Sequence, residues 1–186
     1  QKSNLYALGA MENLKGEVQI FDGEPFNSMV NSEEIQIDSS YDKKAALLVY
    51  AQVQEWKTLE LPAEIATIED LEEFVFDKAK ALGIDTTAPF PFMIEGKVSS
   101  MDWHVIDWDE NDKHHTHQKH KESGMKGRLN DAEVEIIGFF SKEHKAVFTH
   151  HSTFVHMHFK AEDAMLAGHI DGLKLGAKMQ LQLPKI

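Results

Sequence analysis

The chain has 186 residues, with 42% hydrophobic and 27% charged side chains, an ordinary balance for a globular protein with a sizeable core. A formal net charge of -12 argues against a nucleic-acid surface, which needs a basic footprint, and no apolar run is long enough to span a membrane. No cysteine is present, so disulfides and thiolate ligands are excluded, and Arg128 is the only arginine available for a bidentate anion clamp.

Residues 5–21 open the chain, with a turn at Asn13 to Gly16 and an alternating strand from Glu17 to Phe21. Glu17 starts that strand and shares a face with Gln19; pattern alone makes it a surface carboxylate at a strand edge. Segments 33–38 and 45–53 are further strands. The second is a near-continuous apolar run and is expected in the centre of a sheet. Thr67 and Asp70 form a relaxed capping box for a helix whose apolar positions are Ile68, Leu71, Phe74, Val75 and Leu82, and Gly83 stops it.

Strands are expected over 90–98, with Pro89 and Pro91 at its start, and over 103–108. The stretch 113–121 holds four histidines, His114, His115, His117 and His120. It reads either as a metal-binding tract or as a mobile, solvated loop, and the flanking lysines favour the loop. Strands over 133–140 and 146–149 flank a turn at Ser141 to His144, and His150 and His151 follow. The chain closes with apolar segments at 172–175 and 179–184. Many strands with one clear helix give an α+β fold. Gly-initiated strand pairs in each half suggest an internal division at about 1–90 and 91–186 within a single domain, 1–186.

The stretch Thr153 to Phe159 carries the most chemistry. His156 and His158 alternate with Val155, Met157 and Phe159, so both imidazoles and Phe154 are expected on one face of a strand. A return strand through Gly168 and His169 can bring a third imidazole beside them. Three neutral imidazoles with an open position are a common way to hold catalytic zinc. Two surface histidines and an unrelated third fit the same pattern.

The order Leu8-Gly9-Ala10, Leu14-Lys15-Gly16-Glu17, Ile94 to Val98, Ile137 to Phe140, His156 to Phe159, Gly168-His169 and Leu181 to Pro184 resembles the alpha-acetolactate decarboxylase family along nearly the whole chain. The resemblance implies two sheet-containing halves and non-oxidative decarboxylation of 2-acetolactate, a 2-hydroxy-3-oxo acid, to acetoin and carbon dioxide. It implies Zn2+ held by His156, His158 and His169. It also implies an active-site role for Glu17, as acid/base group or as metal ligand. His104 stands where the family places an arginine that holds the substrate carboxylate. The family's tail glutamate has no counterpart before Ile186, and the segment before the Gly-Glu strand is short. Three functions follow: a zinc-dependent decarboxylase, a metal-binding relative with another substrate or hydrolytic chemistry, and a non-catalytic binding module. A small-molecule substrate, no nucleic acid and no membrane are the partner expectations, with a homodimer as the default assembly. Family habit suggests the cytoplasm; a chain starting at Gln1 is also compatible with export, so the compartment stays open.

Overall fold

The computed structural model describes residues 2–114, 116–149 and 152–186. Strand-rich with two antiparallel sheets and one long helix, it has the α+β character expected. The first sheet contains β1 (Leu5–Met11), β2 (Glu17–Phe21), β3 (Glu24–Pro25), β4 (Asn27–Asn31), β5 (Glu34–Asp38) and β6 (Ala45–Gln52). Its order is β5-β4-β2-β1-β6, with β3 paired to β2. The second sheet contains β7 (Trp56–Glu60), β8 (Phe90–Val105), β9 (Met125–Phe140), β10 (Val155–Ala161), β11 (Leu166–Lys174) and β12 (Gln180–Pro184). Its order is β11-β10-β9-β8-β12-β7, and β11 also pairs with β8, so the four strands β8 to β11 close on one another. The chain passes between sheets at residues 53–55, upstream of the division expected near residue 90.

Alternation explains the layers. On β9, Ile136 and Phe140 join the core beneath the helix, whereas Ile137 and Phe139 pack with Tyr6, Leu8 and Phe21 of the first sheet. This strand is buried on both faces, which is why its apolar residues run without a break. The helix α1 (Ile68–Ala81) begins with the expected capping box: the Asp70 N–H donates to Thr67 Oγ1 at 3.1 Å, and the Thr67 N–H donates to Asp70 Oδ2 at 3.2 Å. Leu71, Val75 and Ala79 are its buried stripe. Gly83, at φ +81°, ends it in a conformation that glycine adopts without a Cβ penalty.

Four expectations change. β6 is an edge strand, not a central one; its inward residues Val49 and Ala51 pack on the core while Tyr50 is 67% exposed. Apolar runs do not distinguish one covered face from two. The two strands expected over 90–108 merge into β8, because β9 pairs with it continuously from Phe90 to Val105 apart from Ser99. Residues 146–148 form a turn closed by an isolated Lys145–Thr149 bridge, with Ala146 at φ +59° and the His144 carbonyl accepting from the Val147 N–H at 3.0 Å. The histidine-rich stretch is not all loop: Thr116 caps a short helix, α2 (His117–Glu122). His115, His150 and His151 lie outside the described residues.

Candidate active site

The β10–β11 hairpin builds the centre of the site. In its register His158 stands directly opposite His169, and His156 is two residues away on the same face of β10. The other face of β10, with Val155, Met157 and Phe159, is buried in the core. Phe154 departs from the expected face: it precedes the strand, packs on that core, and donates its N–H to the Glu72 carboxylate of α1. Ring centroids of the three histidines lie 4.9–5.4 Å apart. Their ligating atoms all fall within 4.8 Å of one another, and the two Nε2 atoms of His156 and His158 are 3.1 Å apart. A tetrahedral ion about 2.05 Å from each nitrogen needs ligand nitrogens about 3.3 Å apart. The imidazole cluster therefore fits such an ion in donor type and, at the His156–His158 pair, in spacing.

The first sheet supplies the opposite wall. Glu17, at the start of β2, is 3% exposed rather than on the surface. Its Oε1 accepts from the Ile106 N–H at 3.1 Å, and its Oε2 lies 3.9 Å from His158 Nε2. Burial raises its pKa from 4.5 to about 7, opposed by His104 and by the Ile106 hydrogen bond. Burial and the surrounding imidazoles push His158 the other way, well below the ordinary histidine value, so it stays neutral and able to donate a lone pair. Gln19, on the same face as Glu17, reaches His158 Nδ1 at 2.9 Å.

His104, near the end of β8, is buried beside this cluster, with its ring centroid 4.7 Å from that of His169. Its Nε2 is 3.8 Å from Glu17 Oε1. Its Nδ1 is 2.8 Å from Asp171 Oδ2. Burial alone would raise Asp171; hydrogen bonds to His104 and His169 outweigh it and hold that carboxyl well below the usual carboxylate range. The sequence reading did not single out Asp171. Its signal is His169-x-Asp171; the two side chains meet at an irregularity in β11, with His169 Nδ1 3.6 Å from Asp171 Oδ1. His104, His169 and Asp171 form a second group able to hold a cation, but the 2.8 Å contact already engages two of its members with each other. A cavity of about 370 Å³ opens onto Glu17, His104, His120, Phe148, His156 and His169. His120 sits edge-on to Trp108 at its rim. Arg128 pairs with Asp102 through two hydrogen bonds, 2.6 and 2.8 Å, at an exposed position, so it is committed elsewhere.

The sequence model for alpha-acetolactate decarboxylase matches residues 6–186. The chain belongs to the alpha-acetolactate decarboxylase family. Comparison with curated proteins gives no match. Solved structures share the fold of this family member. One is alpha-acetolactate decarboxylase from Bacillus subtilis strain 168, at TM-score 0.72 and 14% identity. Another is a Staphylococcus aureus protein of unknown function similar to alpha-acetolactate decarboxylase, at TM-score 0.71 and 15% identity. Each match covers 99% of this chain and 74% of the other. Family and fold support a decarboxylase-like function on a small molecule. Among the described residues no helix is long and apolar enough to cross a membrane.

Proposed function

We propose that the protein is a zinc-dependent carboxy-lyase acting on a 2-hydroxy-3-oxo acid of the acetolactate type. The observation that carries this reading is the juxtaposition of three clustered imidazoles with a buried glutamate, beside a cavity that Glu17, His156 and His169 line. His156, His158 and His169 are the metal ligands. Bound zinc supplies positive charge for the oxygens on which negative charge develops as carbon dioxide leaves.

The chain's own groups do the rest. Breaking the carboxyl C–C bond releases carbon dioxide and leaves its electron pair on the substrate carbon, which must then take up a proton. Glu17 is placed to deliver it: Oε1 is tethered to the Ile106 N–H, leaving Oε2 toward the imidazole cluster. A carboxyl group near neutrality is matched to general acid work at physiological pH. His104 anchors the substrate carboxylate. In its protonated form Nδ1 donates to Asp171 while Nε2 offers a second donor on the cavity side. One imidazole gives one such donor where a guanidinium gives a fork, so substrate orientation rests more on chelation than it would with arginine.

Acetoin formation from racemic 2-acetolactate by zinc-loaded protein, beside the same protein after chelation, tests the proposal. Chelator-sensitive acetoin production is expected. A protein that binds zinc stoichiometrically yet releases no acetoin would move the search to other oxo acids and to hydrolysis; the pairing of His104 with Asp171, which offsets charge meant for a carboxylate, favours that second reading.

A further inference from the structure

Gln19 is fully buried on β2, in the sheet opposite the imidazoles. Its amide nitrogen lies 2.7 Å from the Phe26 carbonyl oxygen and 3.1 Å from Ser28 Oγ. A carbonyl only accepts, so this end of the side chain is the NH2 group. Oε1 is then the atom 2.9 Å from His158 Nδ1. An amide oxygen has no hydrogen to give, so Nδ1 must carry the proton and donate it. A neutral imidazole has a single N–H, which leaves the lone pair on Nε2. That Nε2 is the atom facing the cluster, 3.1 Å from His156 Nε2 and 3.9 Å from Glu17 Oε2.

We propose that Gln19 is a positioning residue: alongside a backbone hydrogen bond at Val18, it holds His158, across the gap between the sheets, in the one neutral tautomer that can ligate a metal through Nε2. The role rests on the metal reading given above. A hydrogen-bond partner behind a ligating histidine is commonly worth about 10–100-fold in metal affinity.

Two measurements test this. Long-range proton–nitrogen correlation spectra of ¹⁵N-histidine-labelled protein at pH 8 report each tautomer. His158 should be protonated at Nδ1 before zinc is added and should stay so afterwards. Zinc affinity, by competition with a chromophoric chelator, should weaken about 10–100-fold in Gln19→Met, which cannot accept from Nδ1 as an amide does. Gln19→Glu keeps an accepting oxygen at His158 while losing the donors to Phe26 and Ser28, so its affinity should stay within a few-fold of wild type. A purely structural role predicts the reverse, with both variants weakened together. Zinc-binding wild type with His158 protonated at Nε2, or Gln19→Glu as weak as Gln19→Met, would overturn this role and leave the metal reading standing. Wild type that takes up no zinc would overturn both. Should Gln19→Met fail to fold, the wild-type spectra and Gln19→Glu still decide.

Discussion

Glu17→Gln isolates what it costs this fold to bury a carboxylate. Glu17 is 3% exposed, and burial raises its pKa from 4.5 to about 7. Between those two values the folded chain holds a proton that the unfolded chain has released. Where the folded state binds more protons, stability falls as pH rises. At about 1.4 kcal/mol per pH unit, the interval from 4.5 to about 7 is worth about 3 kcal/mol, fully lost by pH 8. Gln keeps an oxygen for the Ile106 N–H and carries no charge, so its own contribution is a pH-independent offset. In chelated protein, the stability of the variant relative to wild type should therefore climb by about 3 kcal/mol between pH 4.5 and pH 8. Urea unfolding at a series of pH values reads this directly. His158, held neutral by burial, adds a slope of the opposite sign below about pH 6.5, but it does so in both proteins and cancels from the difference. A difference that stays flat with pH would falsify the burial argument, and with it the idea that Glu17 is tuned toward neutrality. The same substitution should abolish acetoin formation from zinc-loaded protein.

His158→Ala should remove both stoichiometric zinc and chelator-sensitive activity; retention of full zinc content, measured by atomic emission, would count against the ligand assignment. His104→Ala should lower kcat/KM by about 10–100-fold, the loss of one charge-assisted hydrogen bond, with zinc content unchanged. Arg128→Ala should leave activity intact and the thermal midpoint almost unmoved, since its pair with Asp102 is largely solvent-exposed; a collapse in activity would reveal an anchoring role for that guanidinium. Gly168→Ala should lower stability by about 1–3 kcal/mol in thermal melts, because the new Cβ would stand 2.6 Å from the His104 carbonyl oxygen.

The histidine motif was legible because period-two alternation is a backbone property: once β10 is a strand, His156 and His158 must share a face. Opposing His169 needed only a short return strand, and the register supplies it. The α1 capping box was legible for the same local reason. Glu17 was named through the family resemblance, but its burial was not legible, since it depends on a second sheet arriving from beyond residue 55, and no local pattern distinguishes a carboxylate at a sheet edge from one roofed by another sheet. Asp171 was missed because its importance lies in a partner, His104, that is 67 residues away. The position of β6 failed for a related reason: Leu47 to Val53 is apolar whether its outer face is covered or bare, and here Tyr50 is bare.

The three imidazoles occupy two adjacent strands joined by a short turn, whereas Gln19 and His158 are separated by 139 residues of chain. Closing a short loop is entropically cheap and fast, and bringing together distant segments is slower. The imidazole cluster is thus the local part of the site, whereas Glu17 and Gln19 on β2 reach it only through long-range contacts between the sheets. Any loosening between the sheets would therefore part Glu17 and Gln19 from the histidines while leaving the hairpin register, and with it the imidazole cluster, in place.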